Sequence, residues 1–446
     1  MRLRISTPLL AAVAVAFAGS TVANQGNDNH VDVLVSLTDG GPPTAAASNR
    51  SEANDFATGF GVQPTHVYGA ALTGFAASVP ESRLEALKNH PRVDSVSKDG
   101  RVTALQGNCP HCGGDDDDDD DDDGDDGDPT VPWGVERVGA DLNDNAGNGV
   151  SVYVLDTGID ATHPDLEPNL GDGYAVEECQ DQTSGPPGQR TECDADWDDD
   201  QGHGTHVAGT VGATDADEIV GVAPEVTLHS VKVLADDGGG SFSGIVEGID
   251  WVTEQAMERG ESVVANMSLG GGGEKDGTCT EDGFSGDDNM HAALCNARNA
   301  GVVTVAAAGN DGDDADNAVP AAYDDAVITV SATEEGDDWA SYSNWGDRSA
   351  DWTDNDSAPV AIAAPGSDVE STAADGGTES LSGTSMAAPH VAGGAALFLR
   401  ANTQNADDSA FFNTRSQLLD TAEDTGGFDN TTGDPHDEDF LDASSL

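Results

Sequence analysis

The sequence predicts an α/β protein of three layers with a mostly parallel central sheet, preceded by a small α+β domain. Three observations predict it. Beyond residue 131, short runs rich in Val, Ile and Ala at 150–155, 226–234, 262–267, 302–306, 326–330 and 360–363 alternate with helical stretches such as 243–259 and 386–400. That is the order of strand–helix–strand units. The runs are continuously apolar rather than alternating, so helices must cover both faces of the sheet, as parallel sheets require. Between residues 31 and 105 the order is instead strand, strand, helix, strand.

In this first segment, Val31, Val33 and Val35 alternate as in a half-buried strand. Pro80 and Glu81 open a short helix through Leu87, because proline and acids suit a helix N-terminus. A further strand covers 93–96. Residues 107–128 then contain an almost pure aspartate tract at 115–128. Such a tract buries no apolar surface and its charges repel, so a solvated linker is expected; a calcium- or mineral-binding role is the alternative, without fixed ligand geometry.

The chain carries 84 acidic residues against 17 Lys and Arg, a formal charge of −67 over 446 residues. A field of that sign makes nucleic acid and anionic membranes poor partners. The excess continues outside the tract, so it describes a whole surface. In molar salt the Debye length falls to about 3 Å and the mutual repulsion of carboxylates is screened. Work in concentrated salt is therefore expected, and the 37% hydrophobic content in ordered runs sets aside a fully disordered chain.

Arg2 and Arg4, the apolar run 8–18 and the small residues Gly19, Ser20 and Ala23 read as a signal peptide over 1–23. The run is shorter than the roughly 20 residues a membrane span needs. A secreted, extracellular chain is expected. Six cysteines in such a chain suggest disulfides in three local pairs: Cys109 with Cys112, Cys179 with Cys193, and Cys279 with Cys295. The Cys109-Pro110-His111-Cys112 stretch also admits a redox or zinc reading, although no second ligand pair or thioredoxin-like context accompanies it.

Three motifs carry chemistry. The strand at 150–155 runs into Asp156-Thr157-Gly158, placing a carboxylate at a parallel strand's carboxyl end, where open α/β sheets build sites. Alone, such an aspartate is equally a turn or cap residue. His203-Gly204-Thr205-His206 sets two histidines three apart on a small-residue helix; a zinc-peptidase pattern would space them four apart around a glutamate. Gly383-Thr384-Ser385-Met386-Ala387-Ala388-Pro389-His390 puts a serine at the mouth of an apolar helix, where a plain N-cap is the competing role. Asp, His and Ser in this order make a hydrolytic triad the stronger reading.

These three motifs resemble the signatures of the subtilase family, and the likeness runs from Val131 to Ala443. The segment around Leu72-Thr73-Gly74-Phe75-Ala76-Ala77 and His90-Pro91-Arg92-Val93 resembles the inhibitory propeptide of the same family. In composition the chain is most similar to the halolysin-like subtilases of salt-loving microbes. The resemblance implies a subtilisin-like fold, with a propeptide at 24–106, the linker at 107–128 and a peptidase domain at 129–446. It implies a serine endopeptidase made as a zymogen, with Ser385 as nucleophile, His203 as general base and then acid, and Asp156 orienting the imidazole. Asn310 is implied as an oxyanion donor beside the Ser385 backbone N–H. A protein or peptide substrate would lie as an added strand between Gly238-Gly239-Gly240 and Ser268-Leu269-Gly270-Gly271, with Ala307, Ala308 and Gly309 walling the primary pocket. Ala318 is expected near that pocket's base.

The resemblance further implies a structural calcium at Asp165, whose partner loop 214–220 is slightly short; Ala361 weakens a second calcium site. No organic cofactor is expected, and the enzyme is expected to be a monomer inhibited by its own propeptide. Two rival classes are a catalytically silent protein of this fold and an acidic calcium-binding protein. The maturation bond falls somewhere between Leu105 and Pro129.

Overall fold

The computed structural model describes residues 29–38, 40–105, 130–176, 197–280, 283–346, 360–425, 436 and 438–446. The expected signal peptide, the aspartate tract and the pairs Cys109/Cys112 and Cys179/Cys193 lie outside the described residues.

The first domain runs β1 (His30–Leu37), α1 (Ala46–Phe60), β2 (Pro64–Tyr68), β3 (Gly74–Pro80), α2 (Glu81–Lys88) and β4 (Val93–Lys98). Its antiparallel sheet has the order β2-β3-β1-β4, with Val35 opposite Phe75 on one side and Val96 on the other. Val33, Val35, Phe56, Ala57, Phe75 and Leu87 close a small core. Helix α1 is absent from the sequence expectation: it is mostly polar, and its buried residues Ala46, Asn49, Ala53, Phe56 and Ala57 form too narrow a stripe to stand out. After β4 the chain leaves this sheet as β5 (Arg101–Ala104) and joins the larger body.

The larger body continues with α3 (Trp133–Arg137), β6 (Ser151–Asp156), β7 (Tyr174–Ala175), α4 (His203–Gly212) and β8 (Thr227–Lys232). Next come β9 (Gly239–Ser241), α5 (Phe242–Arg259), β10 (Val263–Met267), β11 (Leu269–Gly272), β12 (Thr278–Thr280) and β13 (Gly283–Ser285). Then follow α6 (Asn289–Asn299), β14 (Val302–Ala307), β15 (Ala318–Val319), β16 (Val327–Thr333) and β17 (Ile362–Pro365). The chain closes with β18 (Val369–Thr372), β19 (Thr378–Leu381), α7 (Thr384–Ala401) and α8 (Ser409–Thr421).

Seven strands form the central sheet in the order β17-β16-β14-β10-β6-β8-β7, all neighbours parallel, as the continuous apolar runs predict. Successive residues of a strand point to opposite faces. On β6, Val152 and Val154 enter the core beneath α4 and α7, while Tyr153 and Leu155 enter the core beneath α5 and α6. The expected Cys279–Cys295 disulfide is formed and ties β12 to α6. Among the described residues, no helix is long and apolar enough to cross a membrane.

The small domain sits on α5 and α6. The buried carboxylate of Asp250 accepts the N–H groups of Gly69, Ala70 and Ala71 at 3.1, 2.7 and 2.7 Å and the guanidinium of Arg50 at 2.9 Å. Burial pushes the Asp250 carboxyl up, while Arg50 and the N–H groups of Gly69 and Ala70 pull it back. At the other end of the contact, Asn289 donates to Leu34 O at 2.9 Å and accepts from Ser95 at 2.8 Å.

Candidate active site

Strand β6, inside the sheet between β10 and β8, ends at Asp156, whose side chain is fully buried. Its Oδ1 accepts the Thr157 N–H at 2.8 Å and meets His203 Nδ1 at 2.7 Å. His203 is the first residue of α4, and the helix lies against the end of β6 because Gly204 has no side chain. A Cβ there would stand 2.2 Å from Gly158 O and 3.1 Å from the Asp156 Cβ. The Gly204 N–H donates to Thr157 Oγ1 at 2.9 Å, a second tie between strand end and helix.

Asp199, which the sequence reading passed over, builds the turn before the helix. It accepts from Gln201 N, Gly202 N and Thr205 N at 2.9 Å each and from Thr205 Oγ1 at 2.7 Å. Burial alone would raise its carboxyl, but these bonds outweigh burial and hold it below its ordinary value. The second histidine of the motif, His206, is inward: its Nε2 faces Val369 O at 2.9 Å and Glu379 O at 3.1 Å. Burial, reinforced by the neighbouring His203, lowers its pKa to about 3, so it is neutral.

Ser385 stands in the first turn of α7, fully buried. Its hydroxyl donates to Ser268 O at 2.9 Å, and the Ser268 hydroxyl donates back to Ser385 O at 2.8 Å. Asn266 steadies Ser268 Oγ from 2.9 Å. His203 Nε2 is buried and takes no hydrogen bond from the described residues. The structure thus joins Asp156 to His203 and sets the Ser385 hydroxyl on Ser268 O and not on the imidazole. A serine hydroxyl has one hydrogen, and in this state the carbonyl holds it.

Asn310 follows β14. Its Oδ1 accepts from Thr384 N and Thr384 Oγ1, both at 2.9 Å, which turns Nδ2 outward onto Leu105 O at 2.6 Å. Thr384 Oγ1 in turn accepts the Gly309 N–H at 3.1 Å. Ala307 ends β14, and Ala307 and Ala308 are buried, with Ala308 N bound to Val330 O. Ala318 pairs with Gly272 and packs on the small cluster that contains Ala308.

The two glycine-rich segments stand on either side of a strand, and that strand is β5 of the chain itself. Arg101, Val102 and Thr103 pair antiparallel with Ser241, Gly240 and Gly239; Thr103 and Ala104 pair with Gly270 and Leu269. Ala104 N donates to Gly238 O at 2.9 Å and Leu105 N to Ser268 O at 3.3 Å. A Cβ on Gly271 would lie 2.2 Å from Arg101 O, so only glycine admits the strand there.

Asp165 is buried, and its oxygens accept Asp217 N at 2.7 Å and Glu218 N at 3.1 Å. Calcium requires oxygen ligands around it. The loop 214–220 presents N–H donors to Asp165 instead, so this arrangement does not fit the ion expected there.

A carboxylate–imidazole pair, a hydroxyl at a helix start and an amide donor on a strand carbonyl form an arrangement suited to acyl transfer from a peptide. The model of the subtilase family matches residues 147–436, and that of peptidase inhibitor I9 matches residues 35–105. A cuticle-degrading protease of Metarhizium anisopliae is 38% identical over 340 residues, spanning 74% of this chain and 71% of that one. An extracellular serine proteinase of a Thermus species is 38% identical over 350 residues, spanning 76% and 69% respectively. Among solved structures, a cold-adapted subtilisin-like serine proteinase, 33% identical, superposes with a TM-score of 0.54 over 70% of this chain and 97% of its own. The chain therefore belongs to the subtilase family of serine proteases and carries an inhibitor I9 domain ahead of its protease body.

Proposed function

We propose that this protease is a secreted endopeptidase that cuts peptide bonds through an acyl-enzyme on Ser385 and works in concentrated salt. The observation that carries the reading is the Leu105 carbonyl held by Asn310 Nδ2 at 2.6 Å within a strand bound on both edges.

In the proposed cycle Ser385 exchanges its bond to Ser268 O for one to His203 Nε2. It then adds to the substrate carbonyl as the imidazole takes its proton. Asp156 on Nδ1 keeps Nε2 as the accepting nitrogen and stabilises the imidazolium. Asn310 and the Ser385 backbone N–H stabilise the oxyanion, and His203 returns the proton to the leaving amine. Water repeats the sequence on the ester and frees the enzyme. Gly238, Gly239, Gly240, Ser268, Leu269 and Gly270 bind the substrate backbone in the manner of β5, and Ala307, Ala308 and Gly309 wall the pocket for its side chain.

Secretion rests on the leader-like 1–23 stretch, and salt adaptation on the charge of −67. A structural Ca2+ rests on the family likeness alone and would need ligands other than Asp165 as arranged here. One experiment tests the reading: precursor and Ser385→Ala precursor are exported and incubated at molar and at low salt, with and without a calcium chelator. The proposal expects self-processing and proteolysis in brine, lost with Ser385→Ala. A processing variant, or equal activity at low salt, refutes the corresponding part.

A further inference from the structure

We propose that Asn266 is a positioning residue for the nucleophile: acting through the Ser268 hydroxyl, its amide fixes the first turn of α7 and so sets where Ser385 presents its hydroxyl and its backbone N–H. This rests on the catalytic reading of Ser385 given above.

Asn266 stands in β10 between Val154 of β6 and Val305 of β14, a polar side chain in an otherwise apolar row of the sheet. Both valines belong to the core that includes Met386 and Ala387 of α7. The asparagine is fully buried, and its Oδ1 has no hydrogen-bond partner among the described residues. A buried acceptor left unpaired is destabilising, and leucine, close to asparagine in shape, would suit this row better. Packing therefore gives no reason for an amide here. Its other end does, because Nδ2 donates to Ser268 Oγ at 2.9 Å.

The Ser268 hydroxyl in turn serves a carbonyl that its own helix cannot. Four residues beyond Ser385 stands Pro389, inside α7, which has no N–H, so the α-helical bond to Ser385 O does not exist. Ser268 Oγ supplies the missing donor at 2.8 Å. A hydroxyl has one hydrogen and rotates to suit its neighbours. By donating to Ser268 Oγ, Asn266 occupies that oxygen as an acceptor and leaves its single hydrogen directed at Ser385 O. The Ser385 hydroxyl completes the exchange by donating to Ser268 O at 2.9 Å. Two bonds thus clamp the start of α7 to the residue that joins β10 and β11.

Catalysis needs only one of the two to break. When the Ser385 hydroxyl turns from Ser268 O to His203, the bond from Ser268 Oγ to Ser385 O persists. It holds the backbone of the nucleophile, and with it the N–H aimed at the oxyanion, while the side chain moves. Such preorganisation acts on the transition state and not on substrate affinity.

Matured wild type, Asn266→Leu, Ser268→Ala and the double variant are compared in high salt for kcat and KM on a chromogenic peptide, for the rate of fluorophosphonate labelling and for melting temperature. Each single variant should lose kcat and labelling rate about tenfold, the loss one hydrogen bond commands, with KM within about twofold of wild type. The double variant should lose no more than Ser268→Ala, since Asn266 acts through that hydroxyl. Asn266→Leu should melt no lower than wild type, because it removes an unpaired buried acceptor. Wild-type activity in Asn266→Leu, additive losses in the double variant, or a fall in the melting temperature of Asn266→Leu that accompanies its lost activity overturns the proposal. Should Ser268→Ala fail to fold, Asn266→Leu decides. Labelling of the wild-type protein, with Ser385→Ala as the unlabelled control, separates the two claims: absence of wild-type labelling refutes the catalytic reading, and labelling at unchanged rates in the variants refutes only the positioning role.

Discussion

Replacing Asn310 by alanine removes the Nδ2 donor to Leu105 O together with the Oδ1 that accepts from Thr384 N and Thr384 Oγ1. Its Oδ1 is pinned by two donors of Thr384 at 2.9 Å, so the amide has one orientation and its Nδ2 one target, Leu105 O at 2.6 Å. Loss of a single oxyanion donor costs about 2.7–4 kcal/mol of transition-state stabilisation, a range that comes from subtilisin itself and is carried over here. The rate constant for precursor conversion, and kcat of matured enzyme on a chromogenic peptide, should each fall about 10²–10³-fold. KM should move far less, because the bond strengthens as negative charge develops on the oxygen. Thr384→Val, which releases Oδ1 from one of its two donors, should cost only about 1 kcal/mol. The decisive assay is single-turnover conversion of purified precursor, followed by mass. An Asn310→Ala protein that converts within about tenfold of wild type would sink the assignment of this amide to the oxyanion.

Three further outcomes follow from packing and charge. Asp250→Ala strands three N–H groups of the inhibitor domain and removes one of the two carboxylates on Arg50, which keeps Glu254 at 2.6 Å, at a cost of about 3–5 kcal/mol, so titration of the cleaved inhibitor against the protease should give inhibition weaker by about 10²-fold to several 10³-fold. Opening the Cys279–Cys295 bridge by a double serine substitution frees a loop of 16 residues and should lower unfolding free energy by about 3 kcal/mol in denaturant titration at fixed salt. Acid should destabilise the fold through His206 and His390, whose burial lowers their pKa values to about 3 and about 4. Both are neutral when folded and protonate near 6.5 when unfolded, so stability is full above pH 6.5 and declines towards pH 3 by up to about 1.4 kcal/mol per pH unit per histidine. A flat denaturation midpoint across that interval would refute the account.

Most of the protease body was legible in local pattern. The six apolar runs became six strands of the central sheet, because a strand covered on both faces is continuously hydrophobic wherever it occurs. Asp156 and His203 were legible because each lies in a short motif whose small residues serve a contact: Gly204 lets the helix approach the strand end. Helix α1 was hidden because its buried stripe is narrow and includes Asn49, which donates to Gly69 O at 2.8 Å inside the domain. Asp199 gave no signal among so many aspartates.

The layers, the order of motifs and the excess of acidic charge can be read along the chain, since periodicity and composition act within a few residues of one another. Which carbonyl meets Asn310, that the Ser385 hydroxyl rests on Ser268 O, and that N–H groups approach Asp165 emerge from the folded chain alone. Leu105 and Asn310 are 205 positions apart and Ser268 and Ser385 117 apart. Contacts of that span depend on how two folded surfaces fit to within a hydrogen-bond length, which no local pattern encodes.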